Sequence, residues 1–236
     1  YFFADTELKL DASQLVDSLE YYWGNLKKPY RYSMMNTAAS HDTPRMLTSF
    51  DNKGLYKVWA KPNDDSTYQT GMPSPETYNR VKLYLMHQFT IPGSPQIWNG
   101  DEMGMWGADD PDCRKPLWWN ELEFEDEYRN NFQAGEKVFD KVGFNKKHQD
   151  FYKKIIRIRK ENPVLATGDI EFILAEGNKL MYKRYNNKDE ILVIFNLEKE
   201  PQVFDIPWNN YTNLFNNSTV VGKVTVDPMS GVILKR

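Results

Sequence analysis

A chain of 236 residues with 40% hydrophobic and 14% aromatic residues, among them seven Trp, fourteen Tyr and thirteen Phe, carries too much apolar material to be disordered. Its length suits one large domain, or a medium domain with a small companion. The formal net charge is −3 with both signs interspersed, so no single-signed field recruits nucleic acid or an anionic membrane, and a neutral ligand fits better.

From Asp11 to Trp23, the apolar residues Leu15, Val16, Leu19 and Tyr22 recur at helical spacing behind a capping Asp11, which predicts an amphipathic helix ended by Gly24 and Pro29. Tyr30 to Ala39 reads as a strand entering the polar loop Ser40-His-Asp-Thr-Pro-Arg45, and Pro44 suits the first turn of a following helix. After a loop rich in Gly, Pro and Asp, Pro75 to Thr90 places Tyr78, Val81, Leu85, Met86 and Phe89 on one helical face. Ser94 to Trp98 is a short apolar run that delivers Asn99-Gly-Asp-Glu102 to a loop, as a buried strand does. A loop rich in Trp, Asp and Pro occupies Gly104 to Asn120, and Asn145 to Asn162 predicts another helix, stopped by Pro163.

Helix and strand alternate in this part, which argues for parallel α/β layering. Beyond Gly168 the runs 169–174, 179–185, 190–195 and 201–206 are short and separated by turn residues, which predicts antiparallel strands joined by hairpins. The boundary falls within Val164 to Gly168, dividing the chain into 1–167 and a small β domain over 168–236. The single cysteine, Cys113, excludes an internal disulfide, and no Cys or His stands at metal-ligand spacing around it; we expect it to be a packing residue, and His87 and His148, on their helices, to be surface or packing residues. The longest apolar runs fall short of the ~20 residues that span a bilayer, and the first ten residues lack the order of a signal peptide. A start at Tyr1 rather than Met leads us to expect a fragment whose localisation signals lie in an absent N-terminal portion.

Three polar clusters each follow a predicted parallel strand: His41, Asp42 and Arg45; Asp101 and Glu102; and Asp109, Asp110, Asp112 and Arg114. Loops in that position build the active sites of α/β barrels. Carboxylates interleaved with Trp98, Trp106, Trp118 and Trp119 suit a sugar, whose hydroxyls need hydrogen-bond partners while its C–H faces pack on aromatic rings. Plainer readings compete at each position. Asp42 can cap the helix after Pro44, Asp101-Glu102 can be a solvated turn, and Asp110 to Arg114 can be a structural loop clamp.

The motifs narrow the choice. Ser40-His-Asp-Thr-Pro-Arg45 resembles the segment after the seventh barrel strand of the α-amylase family, glycoside hydrolase family 13. Gly93-Ser-Pro-Gln-Ile-Trp-Asn-Gly-Asp-Glu102 is similar to that family's eighth-strand motif, with Trp98 and Asn99 in place of its usual Tyr-Tyr pair. Gly104 to Arg114 resembles the longer form found in neopullulanases, maltogenic amylases and cyclomaltodextrinases. The resemblance covers essentially the whole chain. It implies the C-terminal portion of a (β/α)8 TIM barrel followed by an antiparallel β-sandwich, acting on α-1,4-linked glucose polymers or oligomers.

Residue by residue, it implies that Asp42 is the transition-state-stabilising carboxylate, that His41 hydrogen-bonds the same sugar ring, that Arg45 belongs to the substrate-binding set, and that Asp110 and Arg114 contact glucose units further toward the non-reducing end. The family's nucleophile and acid/base motifs, which follow the fourth and fifth strands, do not occur in this sequence, so we expect the chain alone to be inactive. No cofactor is implied here, although the resemblance allows a structural calcium in the missing part. The implied partners are an α-glucan or maltooligosaccharide, and the missing N-terminal half of the barrel or a second copy of the chain; nucleic acid and membrane are not among them. A catalytically decayed, amylase-like binding or transporter-associated protein is the alternative. A stand-alone carbohydrate-binding module is the weakest reading, because the motifs lie outside the β domain.

Overall fold

A computed structural model describes residues 2–4, 9–52, 60–129 and 138–236; parts of the expected loop before Pro75 and of the N-terminal ten residues lie outside them. Helix α1 (Ala12–Gly24) begins with a reciprocal cap, in which the Asp11 carboxylate accepts from the Gln14 N–H at 2.8 Å and the Gln14 side chain accepts from the Asp11 N–H at 3.0 Å. The expected strand from Tyr30 to Ala39 is instead a helix, α2 (Lys28–Ser33), followed by a strand of two residues, β1 (Met35–Asn36). Pro29 explains the difference: it lies in the first turn of α2, where its fixed φ and missing N–H cost nothing.

Helix α3 (Met46–Asp51) starts after Arg45, so Pro44 precedes it rather than opening it. Helix α4 (Pro75–Thr90) is capped by Ser74, whose hydroxyl accepts from the Thr77 N–H, and buries Val81, Leu85 and Phe89 as their spacing predicts. Strand β2 (Ser94–Pro95) pairs in parallel with β1, Met35 opposite Ser94 and Asn36 opposite Pro95. The parallel order is therefore present, in strands shorter than expected. A hairpin that the sequence reading did not anticipate, β3 (Glu127–Arg129) with β4 (Val138–Asp140), precedes helix α5 (Lys146–Glu161). Pro163 does not simply stop α5. It caps a further turn, α6 (Val164–Thr167).

The remaining chain is antiparallel. Strands β5 (Asp169–Glu176), β6 (Lys179–Tyr185), β7 (Glu190–Asn196), β9 (Tyr211–Asn213), β10 (Thr219–Val220) and β12 (Ser230–Lys235) form one sheet in the order β10-β9-β12-β7-β6-β5, while β8 (Gln202–Asp205) pairs with β11 (Lys223–Val226). The central strand β7 reads Ile-Leu-Val-Ile-Phe because both of its faces are buried. Ile191, Val193 and Phe195 join the main core with Val81, Leu85, Phe89 and Ile155 from the helices; Leu192 and Ile194 face Phe204, Val224 and Val226 of the small sheet. The main core thus runs continuously across Gly168.

Buried Arg184 on β6 ties the two parts further. Its guanidinium donates to the carbonyls of Thr90, Leu165 and Gly168, the last residue of α4, a residue of α6 and the residue that follows α6. Burial draws this guanidinium down to about 10, so it remains cationic at neutral pH.

Candidate active site

Two loops meet beyond β1 and β2. In the first, the Ser40 N–H donates to Thr43 Oγ1 at 2.8 Å and the Asp42 N–H donates to Ser40 Oγ at 3.2 Å, a local turn of hydroxyl-to-backbone bonds that presents His41 and Asp42 outward. Both side chains are more than half exposed, and His41 Nε2 lies 3.2 Å from Asp42 Oδ2. In the second loop, Gly100 and Gly104 have φ of +97° and +81°. A Cβ at Gly100 would fall 2.4 Å from Met105 Sδ and 2.9 Å from Arg45 Nη1, so this turn requires glycine.

Arg114 joins the loops. Its Nη2 donates to Asp42 Oδ1 at 3.0 Å, its Nε donates to the His41 carbonyl at 2.9 Å, and Nε also lies 2.8 Å from Asp110 Oδ1. His41, Asp42, Asp110 and Arg114 therefore form one exposed cluster. The carboxylate of Asp42 is held from two sides by cationic or imidazole nitrogen and does not cap α3, whose N-cap is Arg45.

Arg45 occupies a different level. It is 1% exposed, and its Nη1 donates to the Asn99 carbonyl at 3.0 Å and to Asp101 Oδ1 at 3.2 Å, while its guanidinium lies 6.0 Å from the Trp98 ring. This places it beneath the exposed cluster, not within it. Asp101 is likewise buried, which corrects the picture of a solvated turn. Loss of hydration pushes its carboxyl up to about 7, against the opposing pull of Arg45. Glu102 turns back to accept the Gly100 N–H at 2.9 Å.

The same lower level holds groups that the sequence reading did not single out for this role. The Gly107 N–H donates to Thr48 Oγ1 at 2.7 Å, the Arg45 N–H donates to the Gly107 carbonyl at 3.0 Å, and buried Cys113 directs its thiol to the His41 carbonyl at 3.2 Å. Burial raises that thiol above its ordinary range, in keeping with an inert packing role. Asp112 accepts the Ala108 N–H at 2.6 Å and clamps its own loop. Asp109 is buried, and its N–H donates to the Ala60 carbonyl.

The expected set of tryptophans divides. Trp106 and Trp118 are buried against each other at 4.4 Å between centroids, edge to face, and belong to a core cluster, so neither offers a ring to a ligand. Trp98 lies 6.1 Å from the His41 ring, and Trp119 is half exposed. His87 and His148 are buried packing residues, with burial pulling their imidazoles down to about 3 and about 4. Among the described residues, no three His, Cys, Asp or Glu side chains are placed to hold a metal ion, and no helix is long and apolar enough to cross a membrane.

A family model for the catalytic domain of alpha amylase matches residues 3–168. The chain belongs to the α-amylase family. It is 36% identical to a cyclomaltodextrinase of Thermoanaerobacter pseudethanolicus over 172 residues, which cover 72% of this chain and 22% of that protein. Among solved structures, it is similar to the type III pullulan hydrolase of Thermococcus kodakarensis, with a TM-score of 0.71 and 22% identity over 97% of this chain and 33% of that one. It is also similar to the α-amylase of Geobacillus thermoleovorans, solved in complex with acarbose, with a TM-score of 0.66 and 20% identity over 94% of this chain and 42% of that one. Other relatives of this α-amylase-family chain are named amylopullulanase, maltogenic alpha-amylase and neopullulanase. The chain spans less than a third of the length of the curated relatives it matches.

Proposed function

We propose that the chain is part of a retaining glycoside hydrolase acting on α-1,4-linked glucose polymers or oligomers, in which Asp42 binds the sugar ring being cleaved and stabilises its transition state. The observation that carries this reading is the convergence of His41, Asp42, Asp110 and Arg114, from two separate loops, on one exposed surface. Such a surface offers acceptors and donors to sugar hydroxyls, with the Arg114 guanidinium shared between the carboxylates of Asp42 and Asp110. His41 bonds the same ring as Asp42, and Asp110 with Arg114 engages the next glucose units. Arg45 serves as a positioning residue, fixing the loop beneath. The acarbose bound by the fold relative from Geobacillus thermoleovorans supports a carbohydrate ligand.

Retaining hydrolysis needs a nucleophile and an acid/base about 5 Å apart across the glycosidic bond. In this reading those groups lie in a preceding barrel portion, β1 and β2 are the last two barrel strands, residues 1–167 complete the catalytic barrel, and 168–236 form the C-terminal sandwich. An apolar wall of Phe2, Phe3, Leu15, Leu19, Phe50 and Tyr84 beside β1, with Met35 67% exposed, supports a seat for the missing half or for a second copy in a swapped arrangement.

The test is Asp42→Asn in the protein carrying both portions. A group that acts mainly in the transition state shows its energy in the rate, so kcat should fall about 100-fold or more with little change in KM. Near-normal kcat would reduce Asp42 to a loop residue.

A further inference from the structure

In the small sheet of the sandwich, Phe204 and Val224 point inward to Leu192 and Ile194, so the large sheet stands between β8 and β11 and the helices. The outer face turns Asp205 and Lys223 to solvent, paired with each other at 3.2 Å. Beside them Trp208 is 83% exposed, more than any other large apolar side chain among the described residues. Apolar residues scattered singly on a surface are ordinary, but this one is mounted. The Ile206 N–H donates to the Gly222 carbonyl at 2.9 Å, which extends the β8–β11 ladder by one bond. The Asn209 N–H then donates to the Pro207 carbonyl, and the Lys223 N–H to the Val221 carbonyl, both at 2.7 Å. Trp208 and Gly222 are thus the middle residues of two tight three-residue turns that face each other.

A Cβ on Gly222 would lie 3.0 Å from Cε3, 3.0 Å from Cζ3 and 3.1 Å from Cδ2 of Trp208, and Gly222 has φ of +68°. These are three consecutive atoms of the six-membered ring at nearly equal distance, so the indole meets Gly222 with its face. It rests on bare backbone that glycine alone provides. One side of the ring is supported and the greater part of its surface is open, which holds the indole in place without burying it.

We infer that Trp208 is the platform of a second carbohydrate site, on the outer side of the sandwich, which holds a polymeric α-glucan apart from the Asp42 cluster; the inference rests on the α-glucan reading of that cluster. A flat, open indole suits the C–H face of a pyranose, and a ring fixed beforehand loses little freedom on binding.

Asn209 and Asn210, next in the chain, each bring an amide that both donates and accepts, the mixture that sugar hydroxyls need. Other ligands fit less well. Lys223, beside the ring, is already paired with Asp205, so the charges there favour a neutral ligand over an anion or an anionic membrane surface. Specific protein interfaces gather about 20–30 residues a side around aromatic anchors, whereas Trp208 is the sole aromatic ring among the exposed large apolar residues of 168–236. A glucan strand needs no more than one such ring for one glucose unit. Held there, a polymer is kept at high local concentration near the Asp42 cluster without contact at the reacting unit, so the site acts on polymer and not on short oligomers.

The experiment is retention on granular starch of the protein carrying both portions, unaltered and as Trp208→Ala, Trp208→Tyr and Arg114→Ala, with hydrolysis of maltotriose measured beside it. Trp208→Ala should weaken the apparent affinity for starch about tenfold, the scale of one lost aromatic contact with its buried area. It should leave kcat/KM on maltotriose and the unfolding midpoint unchanged, and Trp208→Tyr should keep most of the affinity. Full starch retention in Trp208→Ala, with loss in Arg114→Ala, would overturn the inference and keep the reading of the Asp42 cluster. Equal retention of the unaltered protein on cellulose, lost in the same variant, would show a general apolar surface and overturn the α-glucan assignment. Absence of starch retention by the unaltered protein would also overturn the inference, while maltotriose turnover that vanishes in Asp42→Asn would show that the cluster reading stands. Starch retention that depends on Trp208, in a protein without turnover, would keep the platform as a sugar site and remove the cluster reading.

Discussion

Replacing Arg184 by Met should destabilise the fold by about 3 kcal/mol, and the structure shows why the sign is not obvious. Arg184 is fully buried, with no carboxylate partner among the described residues; its ligands are backbone carbonyls. Removing a buried charge relieves desolvation, and apolar replacements of buried ionic groups are often neutral or stabilising. Here, however, the acceptors stay behind. Gly168 O retains the Tyr32 hydroxyl at 2.5 Å, but no other donor to the carbonyls of Thr90 and Leu165 is found among the described residues. Each orphaned carbonyl costs about 1–3 kcal/mol, and both lie near helix ends that favour a cation. Two such losses, partly offset by the relief, give the estimate. In urea, with a slope of about 2–3 kcal/mol per molar, the midpoint should drop by about 1 M or more, followed by far-UV circular dichroism and tryptophan fluorescence together. A loss below about 1 kcal/mol would mean that relief of the buried charge wins and that Arg184 does not tie the helices to the sheet.

Two other outcomes are expected. The Asp101 carboxyl, pushed up to about 7 by burial, stands above its unfolded value of about 3.9, so its contribution to stability is present below about pH 4 and is lost as pH rises through 7; relative to Asp101→Asn, the unaltered protein should lose about 2–3 kcal/mol between pH 5 and pH 8, and a pH-independent gap in urea midpoints would refute this. The chain by itself should not release reducing sugar from maltooligosaccharides or cyclodextrins, and turnover that scales with its concentration and vanishes in Asp42→Asn would show that the nucleophile and acid/base are not needed from outside it.

Where a local signal decides the structure, the sequence was legible. Helices α4 and α5 match the predicted spans closely because an amphipathic period and a capping Ser74 or Asn145 act together. Strands β5, β6 and β7 are seven or eight residues long and bounded by turn residues, which makes them readable as strands. Strands β9 to β11 escaped because they are only two to four residues long, so their pairing partners define them more than their own composition, and β12 escaped because it follows Pro228 and opens with Ser-Gly, which reads as a turn. Helix α2 escaped because its one strong mark, Pro29, reads equally as an end or a beginning. At the candidate site, motif order brought His41, Asp42, Asp110 and Arg114 forward together. It could not separate Arg45 from them, since that depends on how the Gly100 turn folds Asn99 and Asp101 back over the side chain. Nor could it separate buried Trp106 and Trp118 from more accessible Trp98 and Trp119, because tryptophan suits a core and a sugar platform equally.

The two levels of the site have different physical consequences. The upper cluster is half exposed, so its ion pairs are screened by water and contribute little to folding, on the order of 0–1 kcal/mol each; substitutions there should act on ligands. The lower level is dry: Arg45 and Asp101 are almost fully buried, and Thr48 and Cys113 bond the backbone of the loops that carry Asp42 and Arg114. Removing Arg45 takes away the donor that the Asn99 carbonyl and the Asp101 carboxyl share, at a cost of about 1–3 kcal/mol for a buried acceptor left unpaired. It also releases the Asn99 to Asp101 turn on which the second loop is built. A loss of activity on altering Arg45 therefore does not identify a ligand contact, because displacement of the loop produces the same loss. Stability measured beside activity separates the levels: Arg114→Ala should leave the unfolding midpoint nearly unchanged, whereas Arg45→Ala should lower it together with the activity.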